Sequence, residues 1–172
     1  MKKLLLIFLV CIVSEKMAAQ TPDSKLKELG ITLSAPTAPV ANYVKYVRSG
    51  NLIFLSGHGP EDKIKGGYST GKLGKDLTIE EGYAAARLCG ISLLATLKAA
   101  IGDLSKVKRI VKVLGMVNST ENFTEQPKVI NGFSDLMVSV FGEKGKHART
   151  AVGMASLPLG IAVEIEMVVE IE

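Results

Sequence analysis

Residues 148–172 read A-R-T-A-V-G-M-A-S-L-P-L-G-I-A-V-E-I-E-M-V-V-E-I-E, and this stretch decides the fold. Its second half alternates strictly. Ile161, Val163, Ile165, Met167, Val169 and Ile171 fall on one face, and Ala162, Glu164, Glu166, Val168, Glu170 and Glu172 on the other. A period of two with one apolar face is the pattern of a strand lying on a core. Residues 148–154 read as another strand, and Leu157 with Pro158 breaks the chain between the two. The short reversal makes an antiparallel pair the expected arrangement, with Arg149 and Glu164 as cross-strand neighbours.

Upstream, Pro127 opens a helix whose stripe is Val129, Ile130, Phe133, Leu136, Met137, Val140 and Phe141, and Gly142 closes it. Residues 108–117 form a strand with apolar side chains on both faces, Val111 and Val113 on one and Ile110, Leu114 and Met116 on the other. That makes it central. Before it, Thr78 and Glu81 make a capping box for a long helix carrying Tyr83, Ala86, Gly90, Leu93, Leu94, Leu97 and Ile101 and ending at Gly102. Residues 40–47 and 52–56 read as a hairpin around Ser49, Gly50 and Asn51. Residues 57–77 form a glycine-rich loop with a short strand near Leu73, of the length at which loops are often functional. A short helix starts at Thr21 and Pro22 and stops at Gly30. The order β-β-α-β-α-β-β defines an α+β domain, a mixed sheet with two long helices packed on one face. The other sheet face, a mixture of Val, Ala, Gly and Glu, is expected to meet other subunits.

The chain has 172 residues, with 47% hydrophobic and 22% charged residues, enough for one domain and one core. Lys2 and Lys3 precede an apolar run over residues 4–13, and a short polar stretch then ends in Met17, Ala18 and Ala19. This reads as a signal peptide over residues 1–19, leaving residues 20–172 as a single domain that is exported, periplasmic or secreted. Ten apolar residues reach only about 15 Å as a helix, half a bilayer core, so no membrane span is expected after cleavage. Val10 stands where a lipoprotein signal at Cys11 would need a small residue. Cys89 is then the lone thiol and is expected to be a buried small hydrophobe. Removing Lys2, Lys3, Lys16 and Glu15 lowers the formal charge of +4 to about +2. That gives no electrostatic case for nucleic acid. The cluster Lys106, Lys108, Arg109 and Lys112 lacks interleaved aromatics and reads as solvated surface.

The chemistry concentrates at the final strands. Alternation puts His147 and Arg149 on the same side of their strand. An arginine fork holds a planar carboxylate by two hydrogen bonds, and a nearby glutamate can position or deprotonate water. The plainer reading of Arg149 and Glu164 is a cross-strand ion pair. His58 and His147 are further proton donors or acceptors by residue type, with a solvent-facing loop residue and a strand-edge residue as the plainer alternatives.

Three motifs carry a resemblance: Ser56-Gly57 after an apolar strand, G-K-L-G from Gly71 followed by Asp76-Leu77-Thr78, and the tail from Ala148 to Glu166. Together they resemble the Rid (YjgF, reactive intermediate deaminase; endoribonuclease L-PSP-like) family over nearly all of the mature chain. G-K-H-A-R-T-A-V-G from Gly145 is similar to a divergent subgroup. The resemblance implies a chorismate-mutase-like fold and a homotrimer with three clefts between subunits, each built around the arginine. It implies a small carboxylate-bearing ligand: a 2-imino or 2-enamino acid hydrolysed to a 2-oxo acid and ammonia, with no metal or organic cofactor. Carried over, Arg149 clamps the carboxylate, Glu164 positions water and transfers protons, and the backbone at Ser56 and Gly57 lines the cleft. His58 takes the place of a polar amide in many relatives, and Asn131 matches a residue that helps line the site. The chain departs from the family at Ala38-Pro39-Val40-Ala41, which lacks the tyrosine of an aromatic motif, and at Ala151, where a cysteine is common. The alternatives are a non-catalytic trimer that binds small carboxylates or partner proteins and, last, a ribonuclease.

Overall fold

The computed structural model describes residues 20–36, 41–60 and 69–172. The expected signal segment and residues 38–40 of the departing motif lie outside them. Five strands, β1 (Tyr46–Ser49), β2 (Leu52–His58), β3 (Val107–Asn118), β4 (Ala148–Met154) and β5 (Val163–Ile171), form one sheet in the order β1-β2-β5-β3-β4. Among the described residues, three α-helices accompany it: α1 (Pro22–Glu28), α2 (Ile79–Ile101) and α3 (Gln126–Phe141). Thr78 and Glu81 cap each other's backbone at the start of α2 as the sequence predicts, and Gly142 ends α3. β1 begins only at Tyr46. Its two-residue turn to β2 has Gly50 at φ 61°, a left-handed position suited to a residue without Cβ.

The two long helices cover one face of the sheet. Ile53 and Leu55 from β2, Ile110, Val113 and Val117 from β3 and all five apolar positions of β5 meet Cys89, Leu93, Leu97, Ile130, Phe133 and Met137 in one buried cluster. Each fully buried side chain of this size contributes about 1.5–3 kcal/mol. α2 is long and apolar enough to cross a membrane by length and composition, but much of it is buried within the domain. Cys89 is buried as expected, and burial pushes its thiol pKa well up.

The strand order corrects the sequence reading at the place that mattered most. β4 and β5 are not neighbours. β5 lies between β2 and β3, antiparallel to both, and β4 pairs with β3 in parallel register, Arg149 opposite Val113. The physical reason is twofold. α3 is a crossover long enough to return the chain parallel to β3, and β5 carries the most continuous apolar face, which is best buried between two strands. A second correction concerns β3. Its pairing with β5 slips between Ile110 and Lys112, so the bulge turns Ile110 onto the helix face with Val113, while Leu114 and Met116 face away.

Among the described residues, no element covers the face opposite the helices. Val47 and Phe54 are half exposed there, and with Leu114, Val168, Lys112 and Glu166 they line a shallow depression of about 300 Å³. The described part of the glycine-rich loop is tied down: Leu73 is fully buried and bridges to Ser119 beside the end of β3.

Candidate functional site

Arg149 sits on β4, the edge strand next to β3, and alternation points it toward α3. Its Nη1 donates to Asn131 Oδ1 at 2.9 Å and Ser134 Oγ at 3.0 Å, and Nη2 donates weakly to the Pro127 carbonyl at 3.4 Å. Asn131 and Ser134 are three residues apart on α3 and therefore share its face. His147 lies two residues before Arg149 on the same side, as alternation predicts. Its Nδ1 is 2.7 Å from the Gly145 carbonyl, which can only accept, so Nδ1 carries the proton. Nε2 then accepts from Ser134 Oγ at 3.1 Å, and the same oxygen accepts from Arg149. The edge of Phe133 packs on the imidazole, with ring centroids 5.7 Å apart. Burial pushes the His147 pKa down, the Gly145 carbonyl pulls it up, and the Arg149 charge lowers it further. A neutral imidazole at pH 7 follows, consistent with this proton chain.

Glu164 belongs to a second cluster. It lies on β5 opposite Met116, on the open face, while Arg149 lies on the helix face of the sheet. Two strand spacings and three residues separate them by roughly 14 Å between Cα atoms. One chain therefore does not bring Arg149 and Glu164 together, and the cross-strand ion pair is ruled out. Next to Glu164, the β2–β5 register slips between Leu55 and His58. This bulge sets Ser56 and Gly57 against the glutamate. A Cβ at Gly57 would collide with Glu164 Oε1, so the absence of a side chain is what lets the carboxylate lie against the β2 backbone.

Burial, and secondarily the Glu166 charge, push the Glu164 pKa up. A raised carboxyl pKa destabilises the folded state wherever the group is ionised, above its folded pKa, and the cost vanishes below the unfolded value near 4.5. Glu164→Gln is therefore expected to raise Tm at pH 7 and to match the unmodified chain at pH 4. The carboxylate is partly exposed, so screening keeps the shift small. Thermal melts at the two pH values check it.

The bulge also moves His58. Instead of lining the cleft or facing solvent, it turns to the helix side, 5% exposed, with Nε2 2.8 Å from Thr96 Oγ1 of α2 and Nδ1 2.8 Å from the Ser56 carbonyl. The expected residues thus divide into Arg149 of β4 and His147 just before it, packed against Asn131 of α3; Glu164, Ser56 and Gly57 on the open face; and His58 in the core. Sequence reasoning missed Ser134 and Thr96. Ser134 was findable as the polar residue one turn beyond Asn131, and Thr96 as a hydroxyl beside the apolar stripe of α2.

Comparison with known proteins follows the same lines. The chain is 52% identical over 149 residues to Protein TCP17 of Trypanosoma cruzi, covering 86% of this chain and 92% of that one. Among solved structures it is similar to Atu1372 of Agrobacterium tumefaciens, a protein of unknown function, at 47% identity and TM-score 0.81, covering 88% and 92% of the two chains. It is also similar to RidA from a Psychrobacter species at 27% identity and TM-score 0.54, covering 81% and 96%. Residues 23–171 match the family described as YjgF/chorismate mutase-like, putative endoribonuclease. With the sheet order, the arginine strand and the V-E-I-E strand in place, the chain belongs to the YjgF/chorismate mutase-like family.

Proposed function

We propose that the chain is a hydrolytic deaminase of small reactive 2-imino and 2-enamino acids, with each site assembled from two copies of a homotrimer. The observation that carries this reading is the Arg149 guanidinium, held by Asn131 and Ser134 at an edge strand. A fork held in place by two side chains loses little freedom when it binds a carboxylate. Glu164, its carboxyl pKa raised, takes one proton from water as the hydroxide adds to the imine carbon and passes it to nitrogen; it then relays the hydroxyl proton of the resulting carbinolamine to nitrogen as the C–N bond breaks and the C=O bond forms, releasing ammonia. The products are a 2-oxo acid and ammonia. Because Arg149 and Glu164 lie on opposite faces of one chain, the edge of one subunit must meet the open face of the next. The apolar leader of residues 4–13 supports work outside the cytoplasm.

The test generates 2-iminopropionate in situ and follows ammonia release. Release no faster than buffer ends the proposal. Subunit sharing has its own signature: Arg149→Ala and Glu164→Gln subunits, each inactive alone, are expected to recover about a quarter of full activity when unfolded together in equal amounts and refolded, because one cleft in four then holds both groups. No recovery would overturn the sharing of Arg149 and Glu164 between two subunits.

Binding without turnover is the second reading, favoured by Ala151 in place of a thiol. Calorimetric binding of 2-oxo acids with no ammonia release from imines selects it.

A further inference from the structure

Two serines of α3 use their hydroxyl protons differently. Ser139 Oγ donates to the Asp135 carbonyl one turn back, at 2.7 Å, the common local bond of a serine inside a helix. Ser134 Oγ instead donates to His147 Nε2 at 3.1 Å, while Arg149 Nη1 donates to the same oxygen at 3.0 Å. The imidazole is oriented in turn from its far side, where Nδ1–H meets the Gly145 carbonyl at 2.7 Å. That carbonyl is fixed, because Gly145 is buried so tightly against α3 that a Cβ would run into the Met137 carbonyl.

Supporting Arg149 needs only a lone pair of Ser134, so the histidine and its fixed carbonyl are left over. A hydroxyl bonded to a neutral imidazole that a third group orients is the arrangement of an activated nucleophile. Burial and the Arg149 charge keep His147 in its basic form at pH 7. The guanidinium adds a positive donor at the same oxygen, which stabilises negative charge as the proton leaves. β4 is an edge strand, and Ser134, His147 and Arg149 each keep part of their surface exposed, which admits a small carbonyl compound but not a bulky one.

We propose that Ser134 is the nucleophile of a second activity, the hydrolysis of esters of short-chain carboxylic acids, with His147 as its general base. Oγ bonds to the ester carbon as its proton passes to Nε2, and the carbonyl electron pair moves onto oxygen beside the Arg149 fork. The pair then returns, the bond to the alcohol oxygen breaks, and the alcohol leaves with the proton from Nε2. Water next attacks the acyl carbon and gives a proton to Nε2. The bond to Oγ breaks, Ser134 takes that proton back, and the carboxylic acid is released. The activity shares Arg149 with the proposed imine site and does not rest on the deaminase reading.

The test mixes the full chain with 4-nitrophenyl acetate and follows nitrophenolate release together with the acylated residue. Release faster than buffer is expected, and the acid-quenched chain carries the acetyl group on Ser134, located by peptide mass. This mapping uses the unmodified chain and so does not depend on how any variant folds. Ser134→Ala abolishes the adduct and the ester rate yet lowers imine hydrolysis only about fivefold, which separates the two activities. His147→Gln keeps an acceptor for the Ser134 proton but cannot take it, and slows acylation about 10²-fold or more. Circular dichroism checks that both variants keep the fold. Release no faster than buffer overturns the proposal whether or not imines are hydrolysed. So does an acetyl group found only on lysine or His147, or an ester rate that survives Ser134→Ala or His147→Gln.

Discussion

Gly132→Ala is expected to cost the domain about 3 kcal/mol, read as a lowered urea midpoint, although alanine is the better helix former. Gly132 is buried where α3 crosses α2, and a Cβ there would run into the carbonyl oxygen of Tyr83. That oxygen belongs to helical backbone and cannot rotate aside, so the two helices must move apart. Separation would strip contacts from the buried Phe133 and Leu136 nearby and strain the hydrogen bond from Tyr83 to Asp135, 2.9 Å long. Gly90→Ala is the internal control. It lies in the same interface, but its added Cβ would meet Leu136 Cδ2 at 2.9 Å, the far end of a flexible side chain. Its cost is expected to stay within about 1 kcal/mol, because the gain in helix propensity offsets most of the crowding. Equal effects at the two glycines would show that backbone approach is not what sets the spacing of α2 and α3.

Arg149→Ala is expected to lower imine hydrolysis by about 10²–10³-fold, and Arg149→Lys by nearly as much. The guanidinium has its plane set by Asn131 Oδ1 and Ser134 Oγ together. A lysine ammonium keeps the charge but cannot use both acceptors while presenting two parallel donors to a carboxylate. Ser134→Ala removes one support and leaves the fork intact, so a loss of about fivefold is expected. Initial rates of ammonia release at saturating and limiting substrate separate the cases. A lysine variant that retained most of the rate would show that charge alone does the binding.

Local signals in the chain are strong, and long-range pairing is where they fail. The capping box at Thr78, the stripe of α3 and the alternation of β5 each depend on a few adjacent residues, and all three elements form where expected. The neighbour of β4 depends instead on which of two apolar strands wins the place beside β3. The Leu157-Pro158 reversal favours a hairpin locally, but the crossover through α3 and the better-buried face of β5 outweigh it. Bulges cause the remaining errors. One extra residue between Leu55 and His58 carries His58 from the open face into the core, and a slip between Ile110 and Lys112 reverses Ile110. Arg149 was legible by motif and chemistry, and Asn131 by resemblance. Their partner Ser134 required knowing that α3 faces the arginine side of β4.

The central place of β5 has a consequence for synthesis. It pairs with β2 on one side and β3 on the other, yet it is the last strand of the domain to leave the ribosome. Until it emerges, the sheet is two separate pieces, and the apolar surface of α2 has only part of its cover. The nascent chain must therefore carry a long apolar helix with part of its surface uncovered until translation of the domain is nearly complete, and that surface is open to wrong contacts in the meantime.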